Sequence, residues 1–206
     1  MSSNVDLVKL FSTVAETLVE NQTTLNKADE YNQDHGDHMV DIFQMITGAV
    51  KEAPKNDLAS GLATASKLLT EKPSGSADMY SKGLGQAAEY FQGGQGLDAT
   101  TVLPLIQSLL GGGEADLSQG AGAAGGGGLL GSLMGSLGGE DGLDLGDILS
   151  AGAAFMQSKE EGDSNIEAAI DAVISASKMG ETPHRAQSSK LVADVLLQTL
   201  MSNLGQ

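Results

Sequence analysis

The chain has 206 residues, contains no cysteine and carries a formal net charge of −16 at pH 7. The lack of cysteine excludes disulfides, thiolate zinc sites, iron–sulfur clusters and cysteine nucleophiles, and so dense a negative charge disfavours nucleic acid and anionic membranes as partners. No apolar stretch approaches the roughly 18 residues that span a bilayer and the first residues do not resemble a signal peptide, so we expect one cytoplasmic domain over residues 1–206.

Helical periodicity dominates the first half of the chain. Apolar residues recur there at steps of three and four, which is the spacing of one helix face, and no strand-like alternation of comparable length competes. The pattern predicts helices whose apolar stripes run from Val5 to Val19, from Met39 to Val50, from Leu58 to Leu69 and from Met79 to Phe91. Asp57 is expected to begin the third of these helices.

The second half continues the helical pattern. A fifth helix is predicted from its N-cap Asp98 to Leu110, where Gly111 ends it, and Pro104 fits this helix only near the first turn or at a kink. Further helices are predicted within residues 145–156, 166–174 and 191–200. The predicted fold class is therefore all-α, an antiparallel barrel or bundle of about eight amphipathic helices.

A glycine-rich tract lies between the fifth helix and the later ones. In residues 111–142, 14 of the 32 positions are glycine. Glycine loses much backbone entropy on folding and has no side chain to pack, so we expect a mobile insertion here. The apolar residues of 129–137 leave open a marginal docked helix or a lid, and no Gly-Lys-Ser/Thr follows the glycines as a P-loop requires.

The connection between the first two helices is rich in candidate ligands. Carboxylates and imidazoles alternate there, and both are groups that hold divalent cations in proteins. The candidates are Asp29, Asn32, Asp34, His35, Asp37 and His38. A plainer alternative is that Asp34 caps the following helix, Gly36 makes the turn and the other polar groups face water.

Two motifs flank this turn, Leu25-Asn26-x-x-Asp29 and Asp34-His35-Gly36-x-x-Met39. Together they resemble the pattern of the dihydroxyacetone kinase L-subunit family (DhaL), whose members are nucleotide-binding domains. The stretch from Ser74 to Tyr80 is similar to the glycine-rich turn that receives phosphate in that family, and the C-terminal residues echo the family's last helices more faintly.

The resemblance implies an antiparallel barrel of about eight helices that holds ADP or ATP through magnesium ions bridged by aspartates. Carried over to this sequence, it makes Asp29 and Asp34 metal ligands and puts Asn32 in the place of a missing aspartate. It assigns the nucleotide side of the site to His35, Gly36, His38, Ser76 and Ala77.

The sequence also departs from the family pattern. The acidic turn is two residues shorter than the pattern, Ala77 stands where the family has glycine, and Asp78 stands where it has proline. Two alternatives follow. One is a phosphotransferase of the dihydroxyacetone (glycerone) kinase type, which needs a separate K-subunit-like partner to hold the substrate. The other is a binding or scaffolding protein that kept the fold without phosphotransfer, and either form can exist as a homo-oligomer.

Near the C-terminus, Pro183-His184-Arg185 is expected to form an exposed connection. If the chain binds phosphate, Arg185 is the candidate that brings positive charge to it, because an acidic protein must receive an anion locally. No Ser-His-Asp arrangement can be nominated, because the other histidines, His35 and His38, lie in the acidic turn.

Overall fold

The computed structural model describes residues 6–54, 57–94, 96–97, 101–111, 174 and 177–204. Regular structure in these ranges is entirely helical, as the periodicity predicts. The α-helices are α1 (Leu7–Ala28), α2 (His35–Glu52), α3 (Leu58–Thr70), α4 (Gly75–Phe91), α5 (Val102–Leu110) and α6 (Pro183–Leu204). A single 3-10 turn, Lys178–Gly180, precedes α6.

The starts of the first, third and fourth helices are fixed by side-chain caps. Asp6 accepts a hydrogen bond from the amide of Val8 at 2.9 Å, Asp57 accepts one from Ser60 at 2.9 Å, and Ser74 caps the first turn of α4. These bonds satisfy amide groups that the helix itself leaves unpaired. The predicted role of Asp57 is confirmed.

The fifth helix starts later than the sequence suggested. Its N-cap is Thr101 and not Asp98, and the helix runs from Val102 to Leu110 with Gly111 as its C-cap. A helix that began at Asp98 would place Pro104 in its interior, where the missing N–H removes a hydrogen bond. Starting at Val102 puts Pro104 in the first turn, where no such bond is required.

The predicted glycine-rich insertion at 111–142 lies outside the described residues except for Gly111, as do the predicted helices at 145–156 and 166–174 except for Ile174. The single-domain prediction for residues 1–206 therefore stays a prediction. Of the helices that the structure describes, none is both long and apolar enough to cross a membrane.

The described helices pack in chain order. Each of α1 to α4 contacts the next helix, and α6 packs against α1, so that the last helix lies beside the first. Short connections between packed helices make neighbours run in opposite directions. Helices α2 and α4 consequently begin at the same end of the bundle.

The centre of the bundle is filled by aromatic side chains. The rings of Phe11 and Phe43 lie 6.4 Å apart, and those of Phe43 and Tyr80 meet edge to face at 5.1 Å. All three side chains are fully buried. They come from α1, α2 and α4, so this cluster joins three helices through buried aromatic area.

Candidate functional site

The acidic turn between α1 and α2 is organised by one buried carboxylate. Asp29 is only 3 % exposed and accepts a hydrogen bond from the backbone amide of Tyr31 at 3.0 Å. Burial alone would raise the pKa of Asp29, but the backbone N–H groups of Tyr31 and Asp34 and the nearby His184 hold it below its ordinary value. Asp29 is therefore an anion at neutral pH.

The backbone of Gln33 helps the chain to reverse between α1 and α2. Gln33 has a φ of 59°, in the left-handed region that a residue with a side chain seldom adopts. Helix α2 then begins at His35, so both histidines of the acidic turn lie within its first two turns and not in the connection.

The first turn of α2 is capped from the neighbouring helix. Asp34 makes no side-chain cap bond, and instead Oδ1 of Asn26 in α1 accepts the amides of Gly36 at 2.6 Å and Asp37 at 3.2 Å. Asp37 in turn accepts the amide groups of Asn26 at 2.8 Å and Gln22 at 2.7 Å, and these bonds lower the pKa of Asp37. The interlocked side chains fix the start of α2 against α1.

Gly36 is needed for this close approach of the two helices. A Cβ atom at this position would lie 2.3 Å from the backbone oxygen of Gln22. No side chain fits at that distance without moving α1 from α2. The structure therefore gives Gly36 a packing role, in addition to the ligand role that the resemblance implies.

Two histidines from distant parts of the chain form a buried pair. His35 in α2 is 5 % exposed and His184 in α6 is 7 % exposed, and their rings meet edge to face with centroids 4.7 Å apart. His184 Nδ1 lies 3.9 Å from Oδ1 of Asp29, an ion-pair distance that is longer than a hydrogen bond, and its Nε2 lies 3.2 Å from the Thr182 hydroxyl.

Burial lowers the pKa of His35 to about 4, and the neighbouring His184 pushes it in the same direction, against a smaller opposing effect of Asp29. His35 is therefore a neutral imidazole at pH 7. Its Nε2 lies 2.9 Å from the hydroxyl oxygen of Ser188. This bond joins the first residue of α2 to the second turn of α6.

No Ser-His-Asp arrangement could be nominated from the sequence, but the structure brings a serine, two histidines and an aspartate together. Ser188, His35, His184 and Asp29 form one buried chain of contacts. The Ser188 hydroxyl also bonds to the backbone oxygen of Arg185 at 3.0 Å. A hydroxyl has one proton, so both contacts are satisfied only if Ser188 donates to Arg185 and accepts from His35 Nε2–H. A serine so arranged, and 1 % exposed, is a structural hydrogen-bonding group and not an activated nucleophile.

The guanidinium of Arg185, a residue of α6, lies beside the start of α4. A Cβ atom added to Gly75, the first residue of α4, would lie 2.6 Å from a terminal nitrogen of the Arg185 guanidinium. The first turns of α2, α4 and α6 therefore meet at one end of the bundle, together with the 29–34 turn. We call this region the histidine end. It combines the positive ends of helix dipoles with a half-buried arginine.

The remaining predicted ligands are distributed unevenly around the histidine end. Asn32 is exposed, and Asp34, with 39 % of its side chain exposed, lies 3.4 Å from Nδ1 of His38 at the surface. Ser76 and Ala77 are buried in the first turn of α4. Within the residues that the structure describes, no three His, Asp or Glu side chains are grouped so as to hold a metal ion.

His184 and Ser188 are the residues that sequence reasoning missed. Pro183 begins α6, so the expected exposed connection is in fact the first turn of a helix. Proline is favoured at this position because the first helical amides have no intrahelical acceptor. His184 and Ser188 are four residues apart and continue the stripe of Val192 and Val195, a signal that could have indicated their burial.

Comparisons with models of known protein families, with curated proteins and with solved structures gave no match to this chain. Its function is therefore inferred from the geometry of the histidine end and from the resemblance of the motifs around the acidic turn.

Proposed function

We propose that this chain is a divergent DhaL-like domain that binds an adenine nucleotide with magnesium at the histidine end of its bundle. In this proposal it serves a cytoplasmic phosphotransferase of the dihydroxyacetone kinase type, whose substrate is held by a separate K-subunit-like protein. The observation that carries the proposal is the meeting of the first turns of α2, α4 and α6 beside Arg185.

The electrostatics of this end suit a phosphate group. The chain as a whole repels anions because of its net charge of −16. At the histidine end, the positive ends of three helix dipoles and a guanidinium are gathered. The neutral state of His35 adds a polar ring there without a further charge.

The packing order supports a closed barrel. Helix α6 lies against α1, as the last and first helices of a barrel would. The helices predicted at 145–156 and 166–174 would fall between α5 and α6 in the chain. Added to the six helices that the structure describes, they would complete a barrel of about eight.

The residues of the acidic turn suit one magnesium ion bound jointly with phosphate, and not a closed protein cage. Magnesium is commonly held by one or two carboxylates together with substrate phosphates and water. Asp29 is an anion whose geometry is fixed by backbone amides, and Asp34 is partly exposed in the same turn. Asn32 offers only an uncharged oxygen. Bound there, the ion would neutralise phosphate charge, while Arg185 would orient the nucleotide.

Calorimetric titration of ADP tests this proposal. We expect the wild type to bind ADP more tightly with magnesium than without it, and Asp34→Ala to remove the magnesium dependence. Arg185→Gln should weaken binding in both conditions, whereas Glu30→Ala, which removes an exposed acid of the same turn, should leave it unchanged. The absence of ADP binding under every condition would overturn the proposal.

The second candidate is a binding or scaffolding protein with the same fold and no phosphotransfer activity. It is favoured by the burial of Asp29 and by the mutual satisfaction of His35 and Ser188, which leaves these groups engaged within the protein. Retained folding with no nucleotide affinity would support this candidate.

A further inference from the structure

An exposed aromatic ring stands beside the histidine end. Tyr31 is 84 % exposed, and among the residues that the structure describes it is the one aromatic side chain that is largely open to solvent. The chain has only seven aromatic residues, with 3 Tyr, 4 Phe and no Trp. Phe11, Phe43, Tyr80 and Phe91 are buried in the core. An exposed tyrosine is therefore an exception in this chain.

The backbone of Tyr31 is hydrogen-bonded, and its ring has an aromatic neighbour. Its backbone amide donates to Oδ1 of Asp29 at 3.0 Å, and its ring meets the ring of His184 at 6.1 Å with an interplanar angle of 79°. An edge-to-face contact with His184 combined with such exposure leaves ring surface free to receive a planar group. His184 and Arg185 both belong to the first turn of α6, so the Tyr31 ring and the charge proposed to receive phosphate both belong to the histidine end.

We infer that Tyr31 is the base-stacking residue of this site, on which the purine of a bound nucleotide lies while its phosphates reach the helix starts and Arg185. This inference rests on the proposed function and names the part of the ligand that Tyr31 recognises. An exposed aromatic ring can stack on any purine, because stacking uses the face of the base and not its hydrogen-bonding edge. The site should therefore prefer nucleotides to inorganic polyphosphate, with little choice between adenine and guanine.

Paired titrations of the full chain with magnesium-ATP and magnesium-tripolyphosphate test the inference. Tyr31→Ala should weaken ATP binding by about 5- to 100-fold, the range typical of the loss of one stacked base, and leave tripolyphosphate binding unchanged. Tyr31→Phe, which keeps the ring, should restore ATP binding. In proton NMR spectra, the Tyr31 ring signals should shift upfield with ATP and stay in place with tripolyphosphate.

The outcomes separate this inference from the proposed function. If both ligands bind and Tyr31→Ala changes neither affinity, or both equally, stacking is wrong while the phosphate site stands. If neither ligand binds the wild type, both are wrong. Circular dichroism of each variant checks that the fold is retained, which is expected because Tyr31 lies largely in solvent.

Discussion

The aromatic core and the histidine end are both buried, but the core consists of aromatic rings and the histidine end of polar side chains. In the core, Phe11, Phe43 and Tyr80 pack through area and shape. The histidine end contains the buried polar side chains of Asp29, His35, His184 and Ser188. These side chains lose their hydrogen bonds to water and replace them only by specific contacts within the protein. Apolar packing tolerates adjustment, whereas a buried polar group without its partner is costly. The comparison indicates that the core stabilises the fold through buried apolar area, whereas the histidine end does so only while its specific polar contacts are intact.

The largest expected effect is in the core. Phe43→Ala removes a fully buried ring that contacts both Phe11 and Tyr80, and should lower the free energy of unfolding by about 3–5 kcal/mol. Urea denaturation followed by circular dichroism measures the change. Leu68→Ala, at a side chain that is 37 % exposed, is the control and should cost less than about 1 kcal/mol. Equal losses in the two variants would refute the central role given to Phe43.

Substitutions of two aspartates in the same turn should change the stability of the fold by different amounts. Asp29→Ala leaves the backbone amide of Tyr31 without its acceptor and removes the negative charge beside the buried His184, so without added metal it should destabilise the fold by about 2–4 kcal/mol. Asp34→Ala removes a partly exposed carboxylate and should change stability by less than about 1 kcal/mol. The same urea titrations compare them, and a larger loss for Asp34 would reverse the assignment of the buried anchor.

His35 should make stability depend on pH. Its folded pKa is about 4, below the ordinary 6.5, so as the pH falls the unfolded chain takes up the proton first. Stability should therefore decline from about pH 6.5 to about pH 4, by about 3 kcal/mol. His35→Gln, whose amide can still reach Ser188, should lack this part of the decline. Identical pH profiles for the two proteins would show that His35 is not a buried neutral imidazole.

Two glycines of α2 offer a matched pair. Gly36→Ala would place Cβ 2.3 Å from the backbone oxygen of Gln22 and should destabilise the protein by about 1–3 kcal/mol. Gly48→Ala meets nothing within 4 Å and should instead stabilise the helix by about 0.5–1 kcal/mol. Thermal melts of both variants give the two signs directly. A stabilising Gly36→Ala would contradict the close contact of α1 and α2.

The smallest effect concerns the one polar atom of the aromatic core. The Tyr80 hydroxyl is buried without a hydrogen bond of good geometry, although the nearby Ser189 weakly opposes the rise of its pKa that burial causes. Tyr80→Phe should therefore keep stability within about 1 kcal/mol of the wild type, in either direction. A loss well above that, measured by urea denaturation, would mean that the hydroxyl has a strong partner in solution.

The helices could be predicted from local pattern and the site only in part. The apolar stripes of α2 and α3 and the cap Asp57 are set by residues close together in the chain, so periodicity and capping rules suffice. The predicted start of α5 at Asp98 is wrong. A capping residue alone does not locate a helix start, and Pro104 favours the later start at Val102. The ligand roles of Asp29 and Arg185 stay predictions, and the structure adds that both residues lie at the histidine end.

The buried pair could not be predicted because it depends on tertiary contacts. His35 and Ser188 are separated by 153 positions, and no local rule links them. His184 was expected in an exposed connection because the segment after Pro183 is polar. Its burial follows from the packing of α6 against the rest of the bundle. In the sequence, long-range polar contacts of this kind are visible only as a polar residue within an apolar helical stripe.

The cap that Asn26 provides for α2 makes secondary structure depend on assembly. Helix α2 borrows the acceptor for its first amides from α1, so its opening turn lacks that acceptor when the segment is separated from its neighbour. The two helices and the turn between them should therefore fold and unfold as a single cooperative unit. A ligand that binds the turn would stabilise both helices together.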